Sequence, residues 1–116
     1  MIRRLIRSWG ARVAIEGDSM QPTLAPGDWV LVDPAAYVTA PPAAGELVLV
    51  PDPRSPERLL VKRVDAAYED GRELWLKGDA GDASTDSDAF GSVSTSMVVG
   101  RPWFRYWPLR RTGRVR

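Results

Sequence analysis

The 116-residue sequence contains no cysteine and no histidine. Without these residues the chain cannot form a Ser-His-Asp triad, a cysteine nucleophile, a disulfide or a zinc site built from Cys and His. Lysine is almost as scarce, because fourteen of the sixteen basic residues are arginines and only Lys62 and Lys77 are lysines. The amines that can act as bases near neutral pH are therefore these two side chains and the amino terminus.

Long apolar runs are also missing, since no stretch approaches about eighteen apolar residues. The first nine residues lack the continuous apolar run of a cleaved leader, and we expect a cytoplasmic protein. Acidic residues are absent from both ends: residues 1–12 carry four arginines and residues 101–116 carry six, whereas residues 13–100 have a net charge of −9. Basic ends of this kind either contact a membrane surface or nucleic acid, or are simply solvated.

The length is that of one domain. Residues 1–10 place apolar side chains at helical spacing with arginines between them, which predicts a short basic amphipathic segment. Residues 11–108 form the body. Residues 109–116 are polar and basic, and this composition is typical of a tail that is disordered.

The body contains ten prolines and eight of the ten glycines, which divide it into short segments. Runs with strand character alternate with marked turns, which predicts a mainly β protein, either a small folded-over sheet or a partly open barrel. The predicted strands are 11–16, 29–33, 46–50, 59–67, 73–77 and 98–106.

Ser19 follows a strand-like run that ends in a Gly-Asp turn. A hydroxyl at the end of a strand, with backbone N–H groups nearby, suits an acyl-transfer nucleophile. The alternative is that Ser19 only caps a turn.

Lys62 lies in a predicted strand, where two-residue alternation places it on the same face as Leu60 and Val64. Burial disfavours a charged ammonium, so a buried Lys62 can act as a general base. The alternative is an edge lysine whose stem packs on the sheet while its ammonium reaches water. Lys77 precedes a Gly-Asp turn and is expected to stay exposed and charged.

Residues 78–88 are rich in Asp, Ser and Thr. The spacing does not match a calcium loop, so no metal site is predicted. We expect a turn-rich loop whose hydroxyls support a catalytic group and whose carboxylates meet an arginine such as Arg63.

Four segments taken together resemble the signal peptidase I family of serine-lysine proteases: GDSMQPTL at 17–24, GELVLV at 45–50, VKRV at 61–64 and the loop at 78–91. The order of these segments matches over residues 12–108. The resemblance implies a peptidase domain over 11–108 with a signal-peptidase/LexA-like folded-over β-sheet. It also implies a serine endopeptidase that needs no cofactor.

The resemblance assigns roles to individual residues. Ser19 is implied as the nucleophile, Lys62 as the general base, and Ser84 as the residue that holds the lysine amine. Asp79 and Asp86 match carboxylates that support the loop, whereas Ala80, Ala83 and Asp88 depart from the family pattern. The implied substrate-binding residues are Ile15, Gly17, Met20, Leu24 and Leu60, of which all except Gly17 would line a pocket for a small residue.

Residues 13–17 and 99–108 are most similar to the nickel-type superoxide dismutase maturation proteases. This resemblance implies that the substrate is a nickel superoxide dismutase precursor, bound in extended form between the strands before the serine and the lysine. Two alternatives stay open. One is cleavage of other precursors at a membrane surface, with residues 1–10 in peripheral contact. The other is a non-catalytic β-module that binds a partner through its Arg-rich and Trp-rich ends; nucleic acid is not expected.

Overall fold

A computed structural model describes residues 11–81 and 90–116. The predicted amphipathic segment 1–10 lies outside the described residues. Ser84 and Asp86 also lie outside them, within 82–89.

Within the described residues, eight strands form two four-stranded antiparallel sheets, and the prediction of a mainly β protein is confirmed. The first sheet has the order β1-β2-β7-β8 and the second the order β3-β4-β5-β6. The strands are β1 (Ala11–Ala14), β2 (Trp29–Asp33), β3 (Leu47–Asp52), β4 (Ser55–Tyr68), β5 (Glu73–Lys77), β6 (Val93–Ser94), β7 (Arg101–Trp107) and β8 (Gly113–Arg114).

All six predicted strands are present, with shifted ends. Strands β2 and β5 have the predicted bounds, β1 and β7 are shorter, and β4 begins earlier, at Ser55. The two-residue strands β6 and β8 were not predicted, because two residues are too few to show alternation.

Strand β3 lies between two hydrophobic clusters, and all six of its residues are buried. Leu47 and Leu49 pack into a cluster with residues of β1 and β2, whereas Val48 and Val50 pack with Val64 and residues of β5. A strand covered on both faces needs a continuous apolar run rather than alternation. This explains why the LVLV sequence has no polar face.

The two sheets meet where β3 approaches the start of β7. The Leu49 amide donates to the Gly100 carbonyl at 2.9 Å, and the Val99 amide donates to the Leu49 carbonyl at 2.8 Å. Gly100 also packs against the end of β2, where an added Cβ would lie 2.7 Å from the Asp33 carbonyl oxygen. Only glycine allows this close approach without a backbone shift.

Residues 109–116 differ from the predicted disordered tail. Leu109–Arg111 forms a 3-10 turn, and β8 pairs with β7 by placing Arg114 opposite Phe104. Val115 is only 4% exposed and belongs to the first hydrophobic cluster. A single apolar residue among arginines has no periodicity to reveal it, so the composition concealed its burial.

Candidate active site

The loop between β1 and β2 carries Ser19, and we call residues 15–28 the serine loop. Its base is closed by hydrogen bonds from the Ile15 amide to the Asp28 carbonyl at 2.8 Å and from the Gly27 amide to the Ile15 carbonyl at 3.0 Å. Met20 and Leu24 are 2% and 0% exposed and anchor the loop in the core. Ser19 itself is half-buried and lies in a turn of this loop, five residues after the end of β1, rather than directly at the end of a strand.

Lys62 is 1% exposed and is the largest of the fully buried side chains in the described part of the chain. It pairs with Val48 in the β3–β4 ladder. Leu60 and Val64 belong to the same hydrophobic cluster as Val48, which confirms the predicted apolar face. Lys77 is half exposed, as expected for a lysine beside a turn, and forms an ion pair with Asp65 at 3.0 Å.

Asp79 links β4 to the serine loop. Arg63 donates from Nε to Asp79 Oδ1 at 2.8 Å and from Nη2 to Oδ2 at 2.7 Å, and the Thr23 hydroxyl donates to Oδ2 at 2.5 Å. The hydrogen bonds from Arg63, and after them the one from Thr23, hold the pKa of Asp79 below its usual range. The predicted contact between a loop carboxylate and Arg63 is confirmed.

The turn that carries Asp79 also touches the nucleophile candidate directly. The Ala80 amide donates to the Ser19 carbonyl at 3.0 Å. Arg63 follows Lys62 in β4, so the same ion pair fixes Asp79 to the strand that holds the lysine. Arg63 is further anchored by the carbonyls of Gly45 and Arg116 at 2.8 Å and 2.9 Å.

A cleft beside Ser19 lies between β1 and β4. Its lining consists of residues 13–16, Ser19, Met20 and residues 58–61. Strand β1 is at the edge of its sheet. Strand β4 pairs with β3 along its first half, and β5 pairs with β4 only from Arg63 onward. Within the described residues, the cleft is therefore bordered by two strand edges that lack a ladder partner.

Three of the predicted substrate-binding residues line this cleft, namely Ile15, Met20 and Leu60. Two do not. Leu24 is fully buried in the first hydrophobic cluster, where its side chain anchors the serine loop to the core. Gly17 is exposed and adopts a positive φ of 75° in the turn before Ser19, outside the lining.

A second carboxylate at the serine loop was missed by sequence reasoning. Asp28 is 2% exposed, and its Oδ2 accepts from the Ala25 amide at 2.9 Å and from Arg105 Nη1 at 3.0 Å. Arg105 Nη1 also donates to the Thr23 carbonyl at 2.9 Å. The GD turn at 27–28 was the available signal, but its partner is 77 residues away.

The aromatic residues near the carboxyl-terminal end are partly exposed. Trp103 and Trp107 are 37% and 50% exposed on β7, and Trp107 pairs with the 40% exposed Trp29 of β2. Arg101, Arg114 and Arg116 surround a shallow groove beside Trp103. These are the residues that the binding-module alternative would use.

Within residues 11–81 and 90–116, no helix has both the length and the apolar character needed to cross a membrane. Over the same ranges, no group of three or more His, Cys, Asp or Glu side chains is arranged to hold a metal ion.

Comparison with known proteins agrees with this geometry. Residues 3–67, more than half of the chain, match the family model described as signal peptidase, peptidase S26. The chain is 32% identical to mitochondrial ATP-independent inner membrane protease subunit 1a of Arabidopsis thaliana, over 88% of the chain and 73% of that protein. It is also 32% identical to mitochondrial inner membrane protease subunit 2 of Danio rerio, over 87% of the chain and 66% of that protein.

Human mitochondrial inner membrane protease subunit 1 is 27% identical, over 92% of the chain and 75% of that protein. Together with the mainly β fold and the cleft beside Ser19, these matches define a peptidase, a hydrolase that acts on protein substrates. The chain belongs to the signal peptidase S26 family.

Proposed function

We propose that this peptidase is a serine endopeptidase in which Ser19 is the nucleophile and Lys62 is the general base. The observation that carries the proposal is the burial of Lys62, at 1% exposure, beside Val61, which lines the same cleft as Ser19. Burial removes an amine from water, and this loss of hydration favours the neutral form that a base requires. With no histidine in the sequence, a lysine is the base that remains for a serine nucleophile.

In the proposed reaction, Ser19 Oγ attacks the scissile carbonyl carbon while Lys62 Nζ accepts the hydroxyl proton. The tetrahedral intermediate collapses, the C–N bond breaks, and the leaving amine takes the proton from Lys62. Water then attacks the acyl-enzyme with Lys62 again as base, which releases the carboxylate and restores Ser19. The Ser19 amide is the proposed donor to the developing oxyanion.

Three residues are proposed as supports for this dyad. By resemblance to the family, Ser84 holds the Lys62 amine, and Asp86 supports the loop that contains it. For Asp79 the contacts with Arg63 and Thr23 favour a supporting role, because they join the serine loop to the lysine strand.

The substrate is proposed to bind as an extended strand between β1 and β4. The two strand edges that border the cleft favour this mode, because an added strand gains main-chain hydrogen bonds from both sides. Ile15, Met20 and Leu60 are among the apolar side chains of the cleft lining and would then face the residue before the cleaved bond, which the resemblance to the family implies is small.

For the substrate itself we propose the leader of a nickel superoxide dismutase precursor. The support is the resemblance of residues 13–17 and 99–108 to the maturation proteases of that enzyme. The second candidate is cleavage of other precursors at a membrane surface, with residues 1–10 in peripheral contact. The names of the relatives, inner membrane proteases, favour this candidate.

The test is intact-mass analysis of the dismutase precursor after incubation with wild type, Ser19→Ala, Lys62→Ala and Lys77→Ala. We expect both dyad variants to lose cleavage by at least about a thousandfold, because neither acyl transfer nor proton transfer can proceed. Lys77→Ala is the matched control and should cut at the wild-type rate, since Lys77 is an exposed lysine outside the cleft.

Each outcome discriminates between the hypotheses. Wild-type cleavage by Ser19→Ala or Lys62→Ala would contradict the dyad. The membrane-surface candidate would be favoured by two observations together. Other precursors would be cleaved only in the presence of anionic vesicles, and this cleavage would be lost when residues 1–9 are deleted. If the dismutase precursor also stays intact with the wild-type protein and with Lys77→Ala, the dismutase proposal is overturned.

A further inference from the structure

Thr23 lies four residues after Ser19 and is held from two sides. Its hydroxyl donates to Asp79 Oδ2 at 2.5 Å, and its carbonyl accepts from Arg105 Nη1 at 2.9 Å. Asp79 follows β5 in the second sheet, whereas Arg105 lies on β7 in the first. The serine loop is therefore attached to both sheets through one residue.

Asp28 and Arg111 hold the Arg105 guanidinium in place. Arg105 Nη1 donates to Asp28 Oδ2 at 3.0 Å, and Arg105 Nε donates to the Arg111 carbonyl at 2.6 Å. The side chains of Asp28 and Arg105 are only 3% and 15% exposed. Charge-assisted hydrogen bonds in such surroundings are strong, and the planar guanidinium fixes direction as well as charge.

Asp28 also stabilises the serine loop directly. Its Oδ2 accepts from the Ala25 amide at 2.9 Å, so one carboxylate oxygen joins the end of the loop to the arginine that holds Thr23. Arg111 Nη2 adds a longer contact to the same oxygen at 3.4 Å. We call Thr23, Asp28, Arg105 and Arg111 the Asp28 clamp.

We propose that Asp28 and Arg105 are positioning residues that set the place of Ser19 through Thr23. This inference rests on the proposed role of Ser19 as nucleophile. Neither residue lines the cleft, and the hydrogen bond that joins Asp28 to the lining, from the Ile15 amide to the Asp28 carbonyl, does not involve the carboxylate. The two side chains therefore act on the attack geometry rather than on substrate binding. Displacement of a nucleophile by about 1 Å can cost about a hundredfold in rate.

Asp52 provides a control carboxylate as buried as Asp28. It is 1% exposed, and it accepts from Arg54 Nε and Nη2 at 3.1 Å each. Both residues lie at the β3–β4 hairpin, outside the serine loop and the cleft lining, and the Arg54 side chain is about half exposed. Asp52→Asn therefore removes the charge of a buried, arginine-paired carboxylate without touching Thr23.

The experiment measures kcat and KM for a short alanine-peptide p-nitrophenyl ester, and follows acylation of Ser19 by intact mass. Arg105→Lys keeps the charge but loses the fork of donors, and Asp28→Asn keeps the shape but loses the charge. We expect kcat and the acylation rate to fall about 10- to 100-fold in each variant, with KM within about twofold of wild type. Asp52→Asn should keep the wild-type kcat, even if its unfolding temperature drops as much as those of Arg105→Lys and Asp28→Asn.

The results separate this inference from the proposed function. If Ser19→Ala is inactive while Arg105→Lys and Asp28→Asn keep the wild-type kcat, the clamp has no positioning role. The same conclusion follows if Asp52→Asn loses as much kcat as they do, because the effect is then one of stability. If Ser19→Ala still forms an acyl-enzyme, the proposed function itself fails. Should Arg105→Lys not fold, Asp28→Asn provides the same comparison.

Discussion

Individual residues differ sharply in how far the sequence could predict their roles. Lys62 and Lys77 are the only lysines. Alternation along β4 placed Lys62 on an apolar face but left its burial open, whereas the Gly-Asp turn after Lys77 was enough to predict an exposed side chain. The Arg63–Asp79 contact was also predictable, because a basic strand residue and an acidic loop were expected to meet. The contact between Thr23 and Arg105 was not predictable, because it joins residues 82 positions apart and leaves no local pattern in the sequence.

Asp79 leads to a prediction about pH. Its pKa is lowered in the folded protein, chiefly by Arg63, so the stability that it contributes is present above the ordinary aspartate pKa of about 4. That contribution is lost as the pH falls through the lowered pKa. We expect Asp79→Asn to lower the free energy of unfolding by about 1–3 kcal/mol at pH 7, and by much less at pH 3.

Urea unfolding of wild type and Asp79→Asn at both pH values measures this difference. Asp65→Asn is the control, because the Asp65–Lys77 pair is about half exposed and exposed pairs contribute little. A difference between wild type and Asp79→Asn that is the same at pH 3 and pH 7 would show that the carboxylate charge is not what stabilises the contact.

Elements were predicted best where their periodicity extends over several residues. Strand β4 was predicted from its alternation and β3 from its apolar run. That β3 is buried on both faces follows only from the tertiary structure, in which one hydrophobic cluster packs on each face. The cleft depends on the unpaired edges of β1 and β4, and sheet order is not encoded in any one strand.

At the level of elements, Gly100 is predicted to be essential to the junction of the sheets. A Cβ at this position would lie 2.7 Å from the Asp33 carbonyl oxygen and 2.8 Å from Val32 Cγ1. Glycine-to-alanine changes stabilise by about 0.4–1 kcal/mol where the native conformation accepts alanine, but overpacking costs about 1–3 kcal/mol. We therefore expect Gly100→Ala to lower the free energy of unfolding.

Chemical denaturation checks this expectation. Thr39→Ala, at an exposed loop position, is the control and should change the free energy of unfolding by less than about 0.5 kcal/mol. If Gly100→Ala is as stable as wild type or more so, Gly100 is not confined by its neighbours at the end of β2.

Across the whole molecule, the basic carboxyl-terminal residues belong to the folded body. Val115 packs in the first hydrophobic cluster, and its amide donates to the Trp103 carbonyl at 3.0 Å. Arg111 contacts Asp28, and the Arg116 carbonyl accepts from Arg63. The segment 109–116 therefore contacts Asp28 directly and Arg63, the partner of Asp79, through a main-chain carbonyl.

This placement predicts a stability effect from a residue that composition assigned to a tail. Val115→Ala removes two buried methyl-sized groups and should lower the free energy of unfolding by about 2 kcal/mol. Val38→Ala is the matched control, since Val38 is 75% exposed, and should have almost no effect. Equal unfolding temperatures for the two variants would mean that 109–116 is a tail after all.

The sequence by itself determined the class of the fold and the positions of six strands, and it excluded every chemistry that needs histidine or cysteine. These features follow from local periodicity, from turn residues and from the absence of histidine and cysteine. Only the tertiary structure decided that Leu24 anchors the serine loop instead of lining the cleft, that Arg105 and Asp28 hold Thr23, and that residues 109–116 are packed. Each of these depends on contacts between distant segments, whose energies come from packing and hydrogen bonding that no single segment contains.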